Sequence, residues 1–334
     1  MTNVLTSLNA GLRRSLEASD RVYLLGEDLL DPYGGAFKVT RSLSSAFPGR
    51  VITTPVSEAG IVGVGVGMAM RGYLPVVEIM FGDFLMLAAD QILNHAAKFK
   101  WISGGAVEVP IVIRTPMGGR RGYGPTHSQT LEKHFLGIPG LRTLAVNSLG
   151  DPGSVLETAV LDDSEPVLLI ENKVLYAQEL FDAVSQSEVQ VHSTDTRYPE
   201  HHLSIRGAPT AAITMLGYGY MAEVGREAIL RLAYEHEIFV ELLVPTQISP
   251  FKLESVRRHA QETGRLLVLE EGTGALGYGA EVIAQVLGES SASIRSSRVA
   301  ALDLPVPAAG PLEQAMLPQV YDVIAAAREL VGHP

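Results

Sequence analysis

At 334 residues the chain has length for about two domains, and its 46% hydrophobic and 19% charged residues are an ordinary globular balance with enough apolar side chains for a sizeable core. A formal net charge of -11 argues against nucleic acid or an anionic membrane surface as partner. The absence of cysteine excludes disulfides, thiolate catalysis and cysteine-ligated metals.

The N-terminal stretch MTNVLTSLNAGLRRSLEA lacks the long apolar core of a signal peptide. No apolar run approaches the roughly 20 residues that span a membrane, so a soluble, cytoplasmic protein is expected. Val4 to Ala18 has amphipathic helical spacing, with Val4, Leu5, Leu8, Leu12 and Leu16 broadly on one face. Arg21 to Leu25 reads as a short strand running into Gly26-Glu27-Asp28, acids at the carboxyl end of a strand, where α/β sheets place ligands. A turn-rich loop through Asp31-Pro32-Tyr33-Gly34-Gly35 leads to a helix near Thr40 to Phe47.

The stretch VITTPVSEAGIVGVGVGMAMRG, Val51 to Gly72, is the centre of the pattern. Its β-branched start suits a buried strand; Pro55 ends that strand, and Ser57 is placed to cap a helix. That helix is too rich in glycine to form by propensity, so its glycines serve packing, with Gly63 and Gly67 spaced to let another backbone approach. Glu58 is the one carboxylate at the mouth of this apolar segment. A helix N-terminus favours its anion while apolar surroundings favour its acid. It is either an ordinary first-turn acid or a centre of chemistry. A dinucleotide fingerprint fits poorly, because GxGxxG glycines form the turn itself and here none precedes Gly60.

Tyr73 to Met80 is a further strand, after which Asp83 is placed to cap one helix from Phe84 to Phe99. Pro110 to Arg114 is another strand. The glycine-rich loop PMGGRRGYGPTHS follows, with Arg120, Arg121 and, at its end, His127, which is either solvated or close to a ligand. The strand Leu141 to Val146, a helix from Asp151 to Leu161 and the strand Pro166 to Ile170 complete a first α/β domain, 1–177. Residues 178–208 are polar and weakly periodic and read as a linker. A second βα alternation, 209–334, has strands at Ala211 to Leu216, Ile238 to Val244, Arg265 to Leu269 and Val299 to Leu302, with helices between them and helical segments from Leu312 to Leu330. The spacing predicts an α/β fold of two domains, each a mainly parallel sheet flanked by helices. Glu270-Glu271, at a strand end, is a site or a dimer or domain contact.

Together the segments LLGEDLLDPYGGAFKVT, TPVSEAGIVGVGVGMAMRG, FGDFLMLAADQILNHAAK, GPTHSQ, GRLLVLEEG, GYGAEV and LPVPAAGPLEQAMLPQV resemble the β subunit of the thiamine-diphosphate-dependent 2-oxo acid dehydrogenases, over nearly the whole chain. The resemblance implies a transketolase-like N-terminal domain that binds the cofactor's aminopyrimidine and a C-terminal domain for dimerisation. It implies an α subunit, in an α2β2 assembly, whose GDG motif and downstream Asn hold the pyrophosphate and Mg²⁺. This chain has no GDG; Gly82-Asp83-Phe84 and Gly150-Asp151-Pro152 lack the third glycine, so no metal ligand is expected here. Glu58 matches the carboxyl that bonds N1′ and favours the imino tautomer. Phe84 matches the aromatic stacked on the pyrimidine, which the residues alone would leave as a core Phe. Glu27 and Val56 match pocket residues, and His127 the histidine facing substrate, there to stabilise negative charge or assist acyl transfer. Gly137 stands where the family commonly has a second His, Met80 where some members have Gln, and Thr246-Gln247-Ile248 where Arg-Thr-Ile is more usual; Val146 to Gly150 lacks the usual Pro-containing turn. The expected reaction is decarboxylation of a 2-oxo acid with transfer of the acyl group to a lipoyl carrier. The alternatives are transfer of a two-carbon ketol unit from a sugar phosphate to an acyl or other carrier protein, or a non-catalytic scaffold for an α-like chain.

Overall fold

In the computed structural model, which describes residues 2–182 and 188–332, Asn3 starts the first element. Its side chain accepts from the Thr6 N–H at 2.9 Å while the Thr6 hydroxyl accepts from the Asn3 N–H at 3.0 Å. This reciprocal cap begins α1 (Val4–Ala18), which buries Val4, Leu8, Leu12 and Leu16 as its spacing requires. The first unit contributes six strands to its sheet, β1 (Val22–Gly26), β2 (Val51–Thr53), β3 (Leu74–Glu78), β4 (Val112–Met117), β5 (Arg142–Ala145) and β6 (Val167–Asn172). They run parallel in the order β5-β6-β4-β3-β1-β2. The fully buried strands β3, β4 and β6 are mostly apolar, as strands covered on both faces are, each interrupted by one charged residue, Glu78, Arg114 or Glu171. The order reverses at β1, so the carboxyl ends of β1 and β3 flank the crevice where such sheets receive ligands. α2 (Glu58–Met70) follows β2, and α3 (Pro152–Leu161), capped by the Asp151 side chain on the Gly153 N–H, follows β5.

A second sheet is built from β7 (Val189–Ser193), β8 (Glu200–Ile205), β9 (Ile213–Gly217), β10 (Val240–Pro245), β11 (Arg265–Thr273) and β12 (Arg295–Ala301). Its order is β12-β11-β9-β10-β8-β7. The β9, β10, β11 and β12 pairings are parallel, and β8 pairs antiparallel with β10 and β7. Its helices are α4 (Met221–His236), α5 (Glu254–Thr263), α6 (Tyr278–Gly288), α7 (Gly310–Met316) and α8 (Val320–Val331). The chain divides into two compact units, Met1–Met117 with His134–Leu180 and Gly118–Lys133 with Phe181–Pro334. The loop after β4, which the sequence reading leaves inside 1–177, therefore groups with the second unit.

Four expectations are corrected. The segment read as a linker over 178–208 holds the hairpin β7–β8, although 183–187 lie outside the described residues. β8 alternates half-buried and buried residues along EHHLSI, and its histidines mask the period-two pattern. The helix expected from Phe84 to Phe99 is three short pieces: a 3-10 helix Gly82–Ala88, a π-helical turn Gln91–Ala96 and an α-turn Phe99–Ile102. Tight seating shapes its start, since a Cβ on Gly82 would collide with Met117. The helix expected near Thr40 shrinks to Leu43–Ala46, because Lys38 and Ser42 adopt positive φ and Asp31 takes the Ser42 and Ser45 N–H groups. In α2, Ser57 stands at the N-cap but makes no capping hydrogen bond, and Gly65 is the glycine that packing demands. A Cβ there would lie 2.8 Å from both Val77 Cγ2 and Ile111 Cδ1, whereas Gly67 faces open space.

Candidate active site

Glu58 opens α2 and is 7% exposed, with Ile61, Val62, Gly65 and Val66 buried behind it. β1 ends one residue before Glu27, whose carboxyl is equally buried. Burial pushes the Glu27 carboxyl above its ordinary value, and the charges of Glu58 and Asp28 push the same way. Glu27 Oε1 has no hydrogen-bond partner among the described residues, and neither has the buried Thr54 hydroxyl that follows β2. Burial and the charge of Glu58 beside it favour retention of a proton by Glu27. Unpaired buried polar atoms beside them are what a polar ring with nitrogen donors and acceptors would satisfy.

Phe84 sits half-buried in the 3-10 helix, its ring centroid 6.1 Å from that of Phe81 in an edge-to-face arrangement. Phe81 in turn packs against Phe37 at 5.5 Å, and Lys173 Nζ lies 5.4 Å from the Phe81 ring. Phe84 thus belongs to an aromatic group rather than standing alone. Val56, in the turn before α2, is 79% exposed.

The first unit brings Glu27 and Glu58 together. His127 belongs to the second unit, where its N–H donates to the Gly124 carbonyl at 3.3 Å and its Nδ1 lies 3.0 Å from the Thr126 hydroxyl. Glu270 and Glu271 lie on β11 in the second unit as well, and Glu271 accepts from the Gly119 N–H at 2.9 Å. Among the described residues no three His, Asp or Glu side chains are grouped as metal ligands, and no described helix is long and apolar enough to cross a membrane. A groove of about 850 Å³ in the first unit, walled by Trp101, Gly105, Pro139 and Pro166, includes none of Glu27, Glu58 or Phe84 in its lining.

The sequence reading missed a buried network on the central strands. Arg114 on β4 donates to Glu78 on β3 and, from Nε at 2.7 Å, to Glu171 on β6, and Tyr176 donates to Glu171 at 2.7 Å. Burial pushes the Glu78 carboxyl up against the opposing pull of Arg114, while Glu171 and Glu27 push it the same way as burial. The Glu27–Glu58 pair is thereby coupled to a charge network beneath it. Its signal was available: one charged residue in each of three strands otherwise apolar enough to be central.

The chain is similar to known proteins along nearly its whole length. The family model for the transketolase pyrimidine-binding domain matches residues 2–178, and that for the transketolase C-terminal domain matches 205–323. The chain is 33% identical to the rice (Oryza sativa subsp. japonica) mitochondrial pyruvate dehydrogenase E1 component subunit beta-1, over 96% of this chain and 84% of that one. Identity is 36% to the pyruvate dehydrogenase E1 component subunit beta of Leifsonia xyli subsp. xyli, covering 95% and 91% of the two chains. The same-named subunit of Rickettsia bellii is 33% identical over 97% of each. In fold, the chain is similar to a solved structure described as a split gene transketolase, inactive beta4 tetramer, with a TM-score of 0.75, 18% identity and 97% coverage of both chains. By both its domains and its full-length relatives, this chain belongs to the family of the pyruvate dehydrogenase E1 beta subunits, the β subunits of the thiamine-diphosphate-dependent 2-oxo acid dehydrogenases.

Proposed function

We propose that the chain is the pyrimidine-binding half of a thiamine-diphosphate enzyme that decarboxylates a 2-oxo acid and passes the acyl group to a lipoyl carrier. The pair Glu58–Glu27, buried at the mouth of an apolar helix with an unsatisfied oxygen beside it, carries the proposal. In this reading 1–177 supplies the pyrimidine pocket and 209–334 the dimer and partner contacts. An α subunit in an α2β2 assembly holds the pyrophosphate and Mg²⁺. The names of the relatives support pyruvate or a similar 2-oxo acid as donor.

Thiamine diphosphate supplies, when bound, the carbon acid and electron sink that decarboxylation needs. Glu58 would hold N1′ of the aminopyrimidine through a shared proton, with the raised carboxyl of Glu27 beside it. Phe84 and Val56 would line the ring and exclude water from it. His127 would face the substrate, to stabilise negative charge or assist acyl transfer. Glu58→Gln keeps the size of the side chain and one hydrogen bond but cannot share the proton. Turnover is expected to fall about 10²-fold or more, with assembly unchanged. Hydrogen–deuterium exchange at the cofactor's C2, measured on the assembled enzyme, checks this directly; exchange at the wild-type rate in the variant removes Glu58 from the role.

A further inference from the structure

Glu313 is a buried carboxylate whose partners are backbone groups of a distant loop. It stands in the first turn of α7 and is 3% exposed. Its Oε1 accepts from the Arg120 N–H at 2.8 Å and its Oε2 from the Gly122 N–H at 3.0 Å. With the Gly119 N–H on Glu271, three N–H groups within four residues converge on two buried carboxylates. Such convergence requires backbone of the left-handed kind, and φ is +69° at Arg120 and +68° at Gly122.

Side chains hold the same turn from outside. Arg120 Nη2 donates to the Pro318 carbonyl at 2.6 Å, its guanidinium lies 4.8 Å from the Tyr220 ring centroid, and its Nε is 3.5 Å from Glu271. The fit leaves little slack: a Cβ on Gly119 would sit 2.6 Å from Leu317 Cδ1 and one on Gly122 3.1 Å from the Ala308 carbonyl. The Gly118 N–H closes the neck of the loop on the Gln129 carbonyl at 3.2 Å. His127 lies inside that closure and is tied back to Gly124. A loop with glycine at 118, 119, 122 and 124 has little conformational preference of its own, so its course is set by what it hydrogen-bonds.

We propose that Glu313 is the positioning residue for His127: its carboxylate, clasping the backbone N–H groups of Arg120 and Gly122, fixes where the imidazole stands. The inference rests on the role given to His127 above. Charge-assisted bonds of this type are stronger than neutral ones, and their loss leaves buried N–H groups unpaired. The loop would then be released while the sheet behind it stays folded.

The test is Glu313→Gln in the full chain, which places an NH₂ group against one of the two backbone donors. Amide exchange at Arg120 and Gly122 is expected to speed up by about tenfold or more. In the assembled enzyme kcat is expected to fall about tenfold while thiamine diphosphate affinity and donor KM stay within about twofold. Glu313→Asp, which keeps the charge, is expected to recover part of the loss. Gly122→Ala, which strains the turn from the loop side and leaves α7 intact, is expected to reproduce it if the first variant fails to fold. Leu312→Ala, on the exposed side of the same helix, serves as the control expected to change nothing. Unchanged exchange at Arg120 and Gly122 overturns the clasp, and so does a loss that appears only as lower melting temperature with kcat unaffected. Because exchange is read without turnover, a loosened loop in an enzyme whose wild type decarboxylates no 2-oxo acid overturns the reaction assigned to the site instead.

Discussion

Within α2, Gly65 and Gly67 differ only in what surrounds them, and that difference decides their opposite responses to a methyl group. At Gly65 the added carbon meets Val77 and Ile111 at 2.8 Å, side chains of the sheet with nowhere to retreat. Gly65→Ala is therefore expected to destabilise the chain by about 1–3 kcal/mol, the range for overpacking a close-packed core. At Gly67 nothing lies within 4 Å, and Ala restores helix propensity, so Gly67→Ala is expected to stabilise the isolated chain by up to about 1 kcal/mol. Chemical denaturation of both variants checks the pair of signs. Glu58 was legible because a single acid at the mouth of an apolar helix contradicts its surroundings. Gly65 was not: four glycines in one helix look alike until their neighbours are known.

Elements tell the same story with larger units. The strands β3, β4 and β6 were legible because short, mostly apolar runs rich in β-branched residues leave few alternatives. The pieces between Gly82 and Ile102 were not, since their apolar residues also suit one long helix. On β11 the sequence shows two acids, and the structure separates them: Glu271 accepts from the loop, while Glu270 is buried beneath α6. Burial pushes the Glu270 carboxyl up to about 7. The Tyr278 and Gly279 N–H groups and Arg298 on β12, 3.7 Å away, oppose this, and Glu132 reinforces it. The folded carboxyl then binds a proton that the unfolded one, with its ordinary value of 4.5, has released. Stability from this group is present at low pH, falls as pH rises from about 4.5 to about 7, and is level above that. Glu270→Gln keeps an acceptor for the two N–H groups and removes the titration. It is expected to raise stability near pH 8 by up to about 3 kcal/mol and to change little near pH 4. Thermal melts across that range read the difference.

On the scale of the whole molecule, the two-sheet architecture was legible from repeated strand–helix spacing, and the hairpin β7–β8 was the exception because its outward residues are polar. What no local pattern shows is that the chain leaves the first unit at Met117 and returns to it at His134. The first unit matches the transketolase pyrimidine-binding family model, and among the described residues no three His, Asp or Glu side chains are grouped as metal ligands. Its apolar surface is also unusually open: Val64, Trp101 and Ile102 are all more than half exposed. The full chain alone is therefore expected to bind thiamine diphosphate weakly, and addition of a GDG-bearing α subunit is expected to bring tight, Mg²⁺-dependent binding. Calorimetric titration with and without that partner decides the point; micromolar Mg²⁺-dependent binding by this chain alone contradicts it.

The clasp on Gly122 has a further consequence, in time rather than in space. Its acceptor is encoded 191 residues downstream of its donor. A ribosome adding about 5–20 residues per second needs about 10–40 s to bridge that interval. The strands β1 to β6 have been made by Asn172, while the loop between Gly118 and Lys133 still waits for both carboxylates that will receive it. During synthesis the nascent protein thus carries the six strands β1 to β6 and an unfastened glycine-rich loop. That interval is when chaperones protect the loop or proteases cut it, and a message broken before Glu313 releases a chain in which it never ends.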